Sequence, residues 1–432
     1  MNTTPDSDSD SSVAAATVET DSGDAATPPP VPEPPPVPEP PPVPVLHLPA
    51  DGVPDVTADA AGLSAAAERL RAGSGPVAVD AERASGHRYG QRAFLFQVRR
   101  EGAGTWLIDP AALGDLTPLA DAIADTEWIL HAATQDLPCL AERGLRPRQL
   151  FDTELAGRLL GLPRVGLAPL TEDLLNVGLA KGHGAADWSR RPLPPEWLAY
   201  AALDVELLHA LRAELAQRLE AAGRTEWARQ EFDFLTRWRP RPRVDPWRRT
   251  RGAGSVRDPR GLAIVRALWE TREQAAERSD RPPGRMLSDE AIVAAAKARP
   301  STSEALRALP AFARFRRRGG VWWAAVQAAN ALPESELPPR YLDDGPPPAR
   351  YWERRDPVAA ARLARVRQAI GDRADALGIP AEVLIAPDLV RVLVWETDGP
   401  IDSDQVRQRL QPARPWQLDE VAELIAGALS SA

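Results

Sequence analysis

Asp80 and Glu82 in VAVDAER, Asp136 in HAATQD, and Tyr200 with Asp204 in YAALD are the residues of this 432-residue chain whose types and spacing point to chemistry. Asp80 and Glu82 follow the apolar alternation of Val77 and Val79, so on a β-strand both leave one face of the sheet. Tyr200 and Asp204 sit four apart in a helical pattern and share a helix face. Carboxylates converging from distant segments repel one another unless a cation lies between them, and hard oxygen ligands select Mg²⁺ or Mn²⁺. Two such ions would be held chiefly by Asp80, Glu82, Asp136 and Asp204, a set suited to phosphodiester cleavage.

Each block alone has an ordinary reading. An acid pair closing a strand is usually a solvated sheet edge, Asp136 before Leu-Pro suits a helix N-cap, and a lone YxxxD fits a helix with an inward tyrosine and an outward acid. Context separates the two accounts. The first pair ends an apolar strand, the second follows the apolar stretch Trp128 to Leu130, and the third lies in an amphipathic helix.

Strands are expected at Val77 to Ala81, Ala93 to Val98, Thr105 to Ile108 and Trp128 to His131. Helices are expected over about 116 to 125, 136 to 143, 153 to 160, 168 to 176 and 195 to 221. Three strands with short connections followed by helices alternating with a further strand make an α/β domain that begins with an antiparallel run. From Arg260 onward helices follow one another: Leu262, Val265, Leu268 and Trp269 space like a buried stripe, and Ser301 with Glu304 reads as a capping box. LVRVLVWE, from Leu389 to Glu396, has β-branched content, yet Pro387 and Asp388 before it favour a helix start, and helix is the reading adopted.

The net charge of −9 argues superficially against a nucleic-acid partner. Residues 1 to 47 hold eight acids and no Lys or Arg, and setting those eight aside leaves about −1 for the rest. This segment, Ser/Asp-rich and then repeating PVPEPP, cannot bury a core and is expected to be a disordered tail of polyproline II character, either passive or bound by an SH3-like partner. RWRPRPRVDPWRRTR, from Arg237 to Arg251, and FRRRGG from Phe315 interleave arginine with aromatic residues; they would serve equally as RNA contacts or as a stiff solvated linker. Cys139 is the sole cysteine, so neither an intrachain disulfide nor a Cys-rich zinc site is possible. With no basic-then-apolar leader and no membrane-length apolar run, a cytoplasmic protein without a membrane partner is expected. The sequence also lacks a P-loop, a GxSxG elbow and an HExxH pair, and GSG at Gly73 to Gly75 precedes its strand where a dinucleotide loop must follow one.

The order DxE, HAATQD, YxxxD resembles motifs I, II and III of the DEDDy 3'-5' exonucleases. HAATQDLPCLAERGL, FDTELAGRLLG, LAKGHGAADWSRRPLP and YAALDVELL resemble ribonuclease D in particular, strongly over about residues 60 to 220 and more loosely beyond. Many DEDD nucleases carry an asparagine a few residues before the motif II acid, where this chain has Ala132 and Ala133. The resemblance implies a ribonuclease H-like α/β exonuclease domain at 55–225, an Arg/Pro/Trp-rich linker at 226–257, an all-α HRDC domain at 258–337, a linker at 338–354 and a second HRDC-like helical domain at 355–430. It further implies a monomeric 3'-5' exoribonuclease that trims tRNA precursors and other small RNAs from a free 3' end and releases nucleoside 5'-monophosphates. Asp80, Glu82, Asp136 and Asp204 would bind metal, Asp80 would bridge, and Tyr200 would orient the attacking water, since a phenol with an ordinary pKa near 10 is a poor base. His131, Gln135, Lys181, His183, Trp188 and Arg191 are secondary candidates for touching substrate or positioning the motif III helix. A DNA exonuclease of the Werner type and a noncatalytic RNA-binding scaffold are the alternatives.

Overall fold

The computed structural model of the chain describes residues 43–180, 182–341 and 345–430. The acidic and Pro-rich tail with its SH3-like partner, as far as residue 42, and Lys181 therefore lie outside the described residues. The first domain contains β1 (Val45–Leu46), β2 (Val56–Thr57), α1 (Ala60–Ala72), β3 (Ser74–Arg83), β4 (Ala93–Glu101), β5 (Gly104–Ile108), α2 (Thr117–Ile123), β6 (Glu127–Leu130), α3 (Leu137–Glu142), β7 (Gln149–Asp152), α4 (Thr153–Leu159), α5 (Leu167–Leu175), β8 (Gly178–Leu179), α6 (Pro195–Glu206), α7 (Leu208–Ala221) and α8 (Thr225–Arg237). Six strands form one sheet in the order β2-β5-β4-β3-β6-β7, with β3, β4 and β5 antiparallel and β6 and β7 parallel to β3.

The alternation along β3 decides what each face carries. Val77, Val79 and Ala81 enter the main core, while Ala78 packs with Ile129, Val205 and Leu208 from β6, α6 and α7. Asp80 and Glu82 continue the Ala78 face by the two-residue period, so they point at the helix that bears motif III. Because β6 is parallel to β3 and adjacent to it, its C-terminal end delivers Asp136 to the same edge.

The strand expectations at the centre of the sheet hold, as does helix at Leu389 to Glu396, where residues 387–395 are α-helical. Other expectations need correction. The helix expected over 195 to 221 is interrupted at Leu207, where ψ flattens to 0°. Helix α1, held by the Asp59 carboxylate accepting from Gly62 N at 2.8 Å, is absent from the sequence reading. Residues 226–237, read as the start of a linker, belong to α8, whose Ala228, Phe232 and Leu235 are buried at helical spacing. Ser301 is not a cap: the Thr302 hydroxyl accepts from Ala305 N at 3.1 Å.

The remaining helices make two units. Helices α9 (Pro259–Ser279), α10 (Pro283–Met286), α11 (Asp289–Ala298), α12 (Ser303–Ala308) and α13 (Gly319–Ala331) surround a core of their own, built on Leu262, Val265, Leu268, Ile292, Phe312 and Trp322. Helices α14 (Trp352–Arg355), α15 (Pro357–Leu377), α16 (Ala381–Leu384), α17 (Pro387–Trp395), α18 (Ser403–Arg409) and α19 (Pro415–Ser430) instead share the hydrophobic core of the first domain. Trp416 of α19 stacks on Trp227 of α8 with ring centroids 4.5 Å apart, and the buried Glu231 accepts from Trp416 Nε1 at 2.8 Å and Arg414 Nε at 2.7 Å. Among the described residues no helix is long and apolar enough to cross a membrane.

Candidate active site

Carboxylate oxygens of Asp80, Glu82 and Asp204 lie within 4.8 Å of one another. Asp136 lies beside Asp80, and Tyr200 beside Asp204, close enough for the members of each pair to influence one another's charge. All five line one cleft of about 410 Å³, and Glu82, Arg83, Gln135 and Gly184 of that cleft also line a neighbouring hollow of about 420 Å³.

Burial and mutual repulsion push the acids the same way. Desolvation lifts Asp80, Asp136 and Asp204 above the ordinary carboxylate range, and Glu82 is pushed up to about 10, by burial first and then by Asp80, Asp204 and Asp136. Among the described residues Arg83 is the cation that faces them, 3.4 Å from Asp136, and it also donates to the Gln135 carbonyl. Among the described residues, one guanidinium against four carboxylates leaves an excess of negative charge. A divalent cation in this place would relieve it. The donor set is oxygen only, so the residues fit a hard divalent ion.

The motif II loop is held from the next strand. Ala132 takes a left-handed conformation at φ 56°, and the buried Asp152 carboxylate accepts from Ala132 N at 3.1 Å and Ala133 N at 2.8 Å. The same carboxylate caps α4 by accepting from Glu154 N and Leu155 N at 2.9 and 3.2 Å. Asp152 went unassigned in the sequence reading, although it stands in FDTELAGRLLG; its partners come from a loop twenty residues upstream, which no spacing rule reveals. Arg83 was missed too, and its place directly after DxE was the available signal.

The secondary candidates divide. His131 and Gln135 line the cleft, His131 with Nδ1 2.9 Å from Thr153 Oγ1 and its pKa lowered by burial to about 4. His183 stands edge-on to Tyr200 with ring centroids 6.0 Å apart. Trp188 is fully buried against Trp197 and Tyr200, which rules out a direct contact with substrate and makes it the support beneath the motif III helix. Arg191 is likewise committed to Asp109 at 2.6 Å and to the carbonyls of Trp188 and Phe94 at 2.8 and 2.9 Å. Gly182 passes so close to the Tyr200 ring that a Cβ there would overlap it, so the residue must be glycine for the ring to keep its place.

Comparison with known proteins agrees with this arrangement. Residues 55–220 match the family described as 3'-5' exonuclease, residues 261–326 the HRDC domain, and residues 345–429 the 3' to 5' exonuclease C-terminal domain. The last helical unit thus has a family description of its own, distinct from the second HRDC copy expected for it. Ribonuclease D from Gluconacetobacter diazotrophicus is 34% identical over 300 residues, which cover 66% of this chain and 75% of that protein. The crystal structure of a protein from Bifidobacterium adolescentis superposes with a TM-score of 0.82 at 39% identity, covering 89% of this chain and 99% of that one. Escherichia coli RNase D, described as an exoribonuclease involved in structured RNA processing, superposes with a TM-score of 0.67 at 25% identity, covering 87% of this chain and 98% of that one. The chain belongs to the ribonuclease D family and is a 3'-5' exoribonuclease.

Proposed function

We propose that the cleft removes nucleoside 5'-monophosphates one at a time from the 3' end of tRNA precursors and other small structured RNAs, in the cytoplasm, with the protein acting as a monomer. The observation that carries the catalytic part is the convergence of Asp80, Glu82 and Asp204 oxygens within 4.8 Å, with Asp136 lining the same cleft. Asp80, Glu82, Asp136 and Asp204 would hold two divalent cations, Mg²⁺ or Mn²⁺. Such ions supply a lowered pKa for the attacking water and offset charge on the departing 3'-oxygen.

The chain's own groups do the rest. Tyr200, whose pKa burial and the neighbouring acids raise, keeps its proton at working pH. Its hydroxyl therefore acts as a hydrogen-bonding anchor that orients water, and not as the base. His131 stays neutral when its pKa is about 4, which leaves a ring nitrogen at the cleft able to accept or donate without adding charge. Gln135 and Gly184 line both hollows and would meet the terminal nucleotides. An unpaired terminus is required, because the acids lie in a cleft and not on an open surface.

Incubation of the purified protein with matched 3'-tailed RNA and DNA, with Mg²⁺, Mn²⁺ or a chelator, tests this reading. Release of 5'-monophosphates from RNA, faster than from DNA and abolished by chelator, is expected. Preference for DNA would support the Werner-type alternative, and undiminished turnover in chelator would overturn the metal-dependent mechanism.

A further inference from the structure

Gln97 sits in the middle of β4 and is wholly buried, yet among the described residues neither the oxygen nor the nitrogen of its side-chain amide has a hydrogen-bond partner. Its place in the sheet gives it a neighbour. On one side it is paired with Asp80 of β3, and on the other with Leu107 of β5. Residues paired in this way project from the same face of an antiparallel sheet, with Cβ atoms about 4.5–5.5 Å apart. The register therefore puts the amide beside a carboxylate of the acid cluster, on the sheet face covered by α6, the helix that carries Tyr200 and Asp204.

The surroundings offer the amide little else. Leu95, two residues back along the strand, and Leu107 are fully buried in an apolar cluster with Ala201 and Ala202 of α6. Trp188 belongs to the same cluster, and its Nε1 is likewise without a partner among the described residues. Two residues further along β4, Arg99 is already committed: it donates to Thr105 Oγ1 at 2.8 Å and lies 3.2 Å from Glu206, whose other oxygen accepts from Ala50 N at 3.2 Å. A leucine or methionine would fill the position of Gln97 without stripping an amide of water. Buried polar side chains are as a rule hydrogen-bonded, and an exception asks for a partner that the working state of a site supplies. Asp80 fits that description. An ionised ligand carboxylate directed at a cation keeps lone pairs free for an N–H donor behind it, and such donors orient metal ligands.

We propose that Gln97 is a positioning residue for the metal site: its amide N–H donates to the Asp80 carboxylate when the acid cluster holds divalent ions, and so orients that ligand from the adjacent strand. The inference rests on the metal-dependent reading of the cleft. It gives Asp80 a support within the sheet, as Asp152 supports the loop that presents Asp136. The two supports differ in one respect. Asp152 has its partners in the folded chain, whereas the Gln97 amide gains its partner with the ions, so its contribution goes to metal affinity and not to the fold.

The test uses the full-length protein with two substitutions: Gln97→Met, which keeps the length of the side chain and removes the amide, and Gln97→Leu, which matches the neighbouring Leu95 and Leu107. Calorimetric titration with Mn²⁺ should show about tenfold weaker binding in both variants. In chelator neither should melt below the wild type, because removing an unpartnered amide takes nothing from the folded chain. Hydrolysis of a 3'-tailed RNA at limiting Mn²⁺ should drop by a similar factor and recover as Mn²⁺ is raised. In the wild-type protein one glutamine side-chain NH₂ pair, missing from the NMR spectra of both variants, should move when Mg²⁺ is added. Wild-type Mn²⁺ affinity in the variants would overturn the proposal. So would a lowered melting temperature in chelator, which would show the amide already bonded within the folded chain, or an NH₂ pair that Mg²⁺ leaves in place. Failure of the wild type itself to bind Mn²⁺ would defeat the metal reading of the cleft and this inference with it, whereas normal binding by all three proteins would defeat the role of Gln97 alone.

Discussion

The Asp152 carboxylate accepts the backbone N–H groups of Ala132 and Ala133, so the loop presenting Asp136 is located by an acid that itself stands outside the metal-binding set. Asp152→Asn keeps the volume but offers those donors one oxygen where they had two. Activity should fall about 10- to 100-fold, as for other outer residues that orient a metal ligand. Stability should drop by about 1–3 kcal/mol from the unpaired amide groups. Wild-type rates with an unshifted melting curve would show that the loop holds itself.

The four cleft acids make the metal-free protein sensitive to pH. Glu82 has its pKa raised from 4.5 to about 10, chiefly by burial, so between those values the folded chain binds a proton that the unfolded chain has released. Stability is therefore greatest on the acid side and falls as pH climbs through that interval, by up to about 1.4 kcal/mol per pH unit for each such group. Melting curves recorded in chelator should show this slope, and Glu82→Gln should flatten it. Parallel slopes for the two proteins would place the titration elsewhere.

Asp80→Asn and Asp204→Asn should each reduce hydrolysis of a 3'-extended RNA by at least about two orders of magnitude, since each removes ligand charge without changing shape. The metal-free variants should melt no lower than the wild type, because one repulsive charge has gone. A variant that still turns over at the wild-type rate would remove its residue from the reaction.

Tyr200→Phe should slow catalysis while metal-induced stabilisation persists, because the hydroxyl lies beside Asp204 and is not itself a ligand in this reading. Gly182→Ala should be slowed as well, because its methyl group occupies space the Tyr200 ring needs. Calorimetric titration with Mn²⁺ alongside rate measurements separates the effects; loss of metal binding in Tyr200→Phe would argue for a different role.

The acid cluster could be read from the chain because period fixes face. Two residues along β3 and four along α6 must point the same way, and like charges that meet must share a cation. The supports were harder to see. Trp188 and Arg191 stand in a polar loop that looks solvated, but their burial and pairing are set by Tyr200, Trp197 and Asp109, which are distant in sequence or on another element. Helix α8 carried its signal in Ala228, Phe232 and Leu235, which the arginines and prolines from Arg237 onward obscured. The motif I loop is tied to the HRDC unit by Asp280, which binds Arg92 at 2.6 Å, Arg88 at 3.4 Å and Tyr89 N at 3.3 Å; no local pattern announces a contact across 188 to 192 residues.

Because Trp416 and its helix complete the core of the first domain, that domain and the last helical unit make one body and α9 to α13 are a detour between them. Truncation after Arg237 should thus yield an insoluble fragment, whereas replacing residues 258–337 with a short tether should leave a folded nuclease, a difference that expression and circular dichroism would register. Among the described residues the middle module adds none to the core its two flanks share, so the mechanical unity of the flanks does not pass through it.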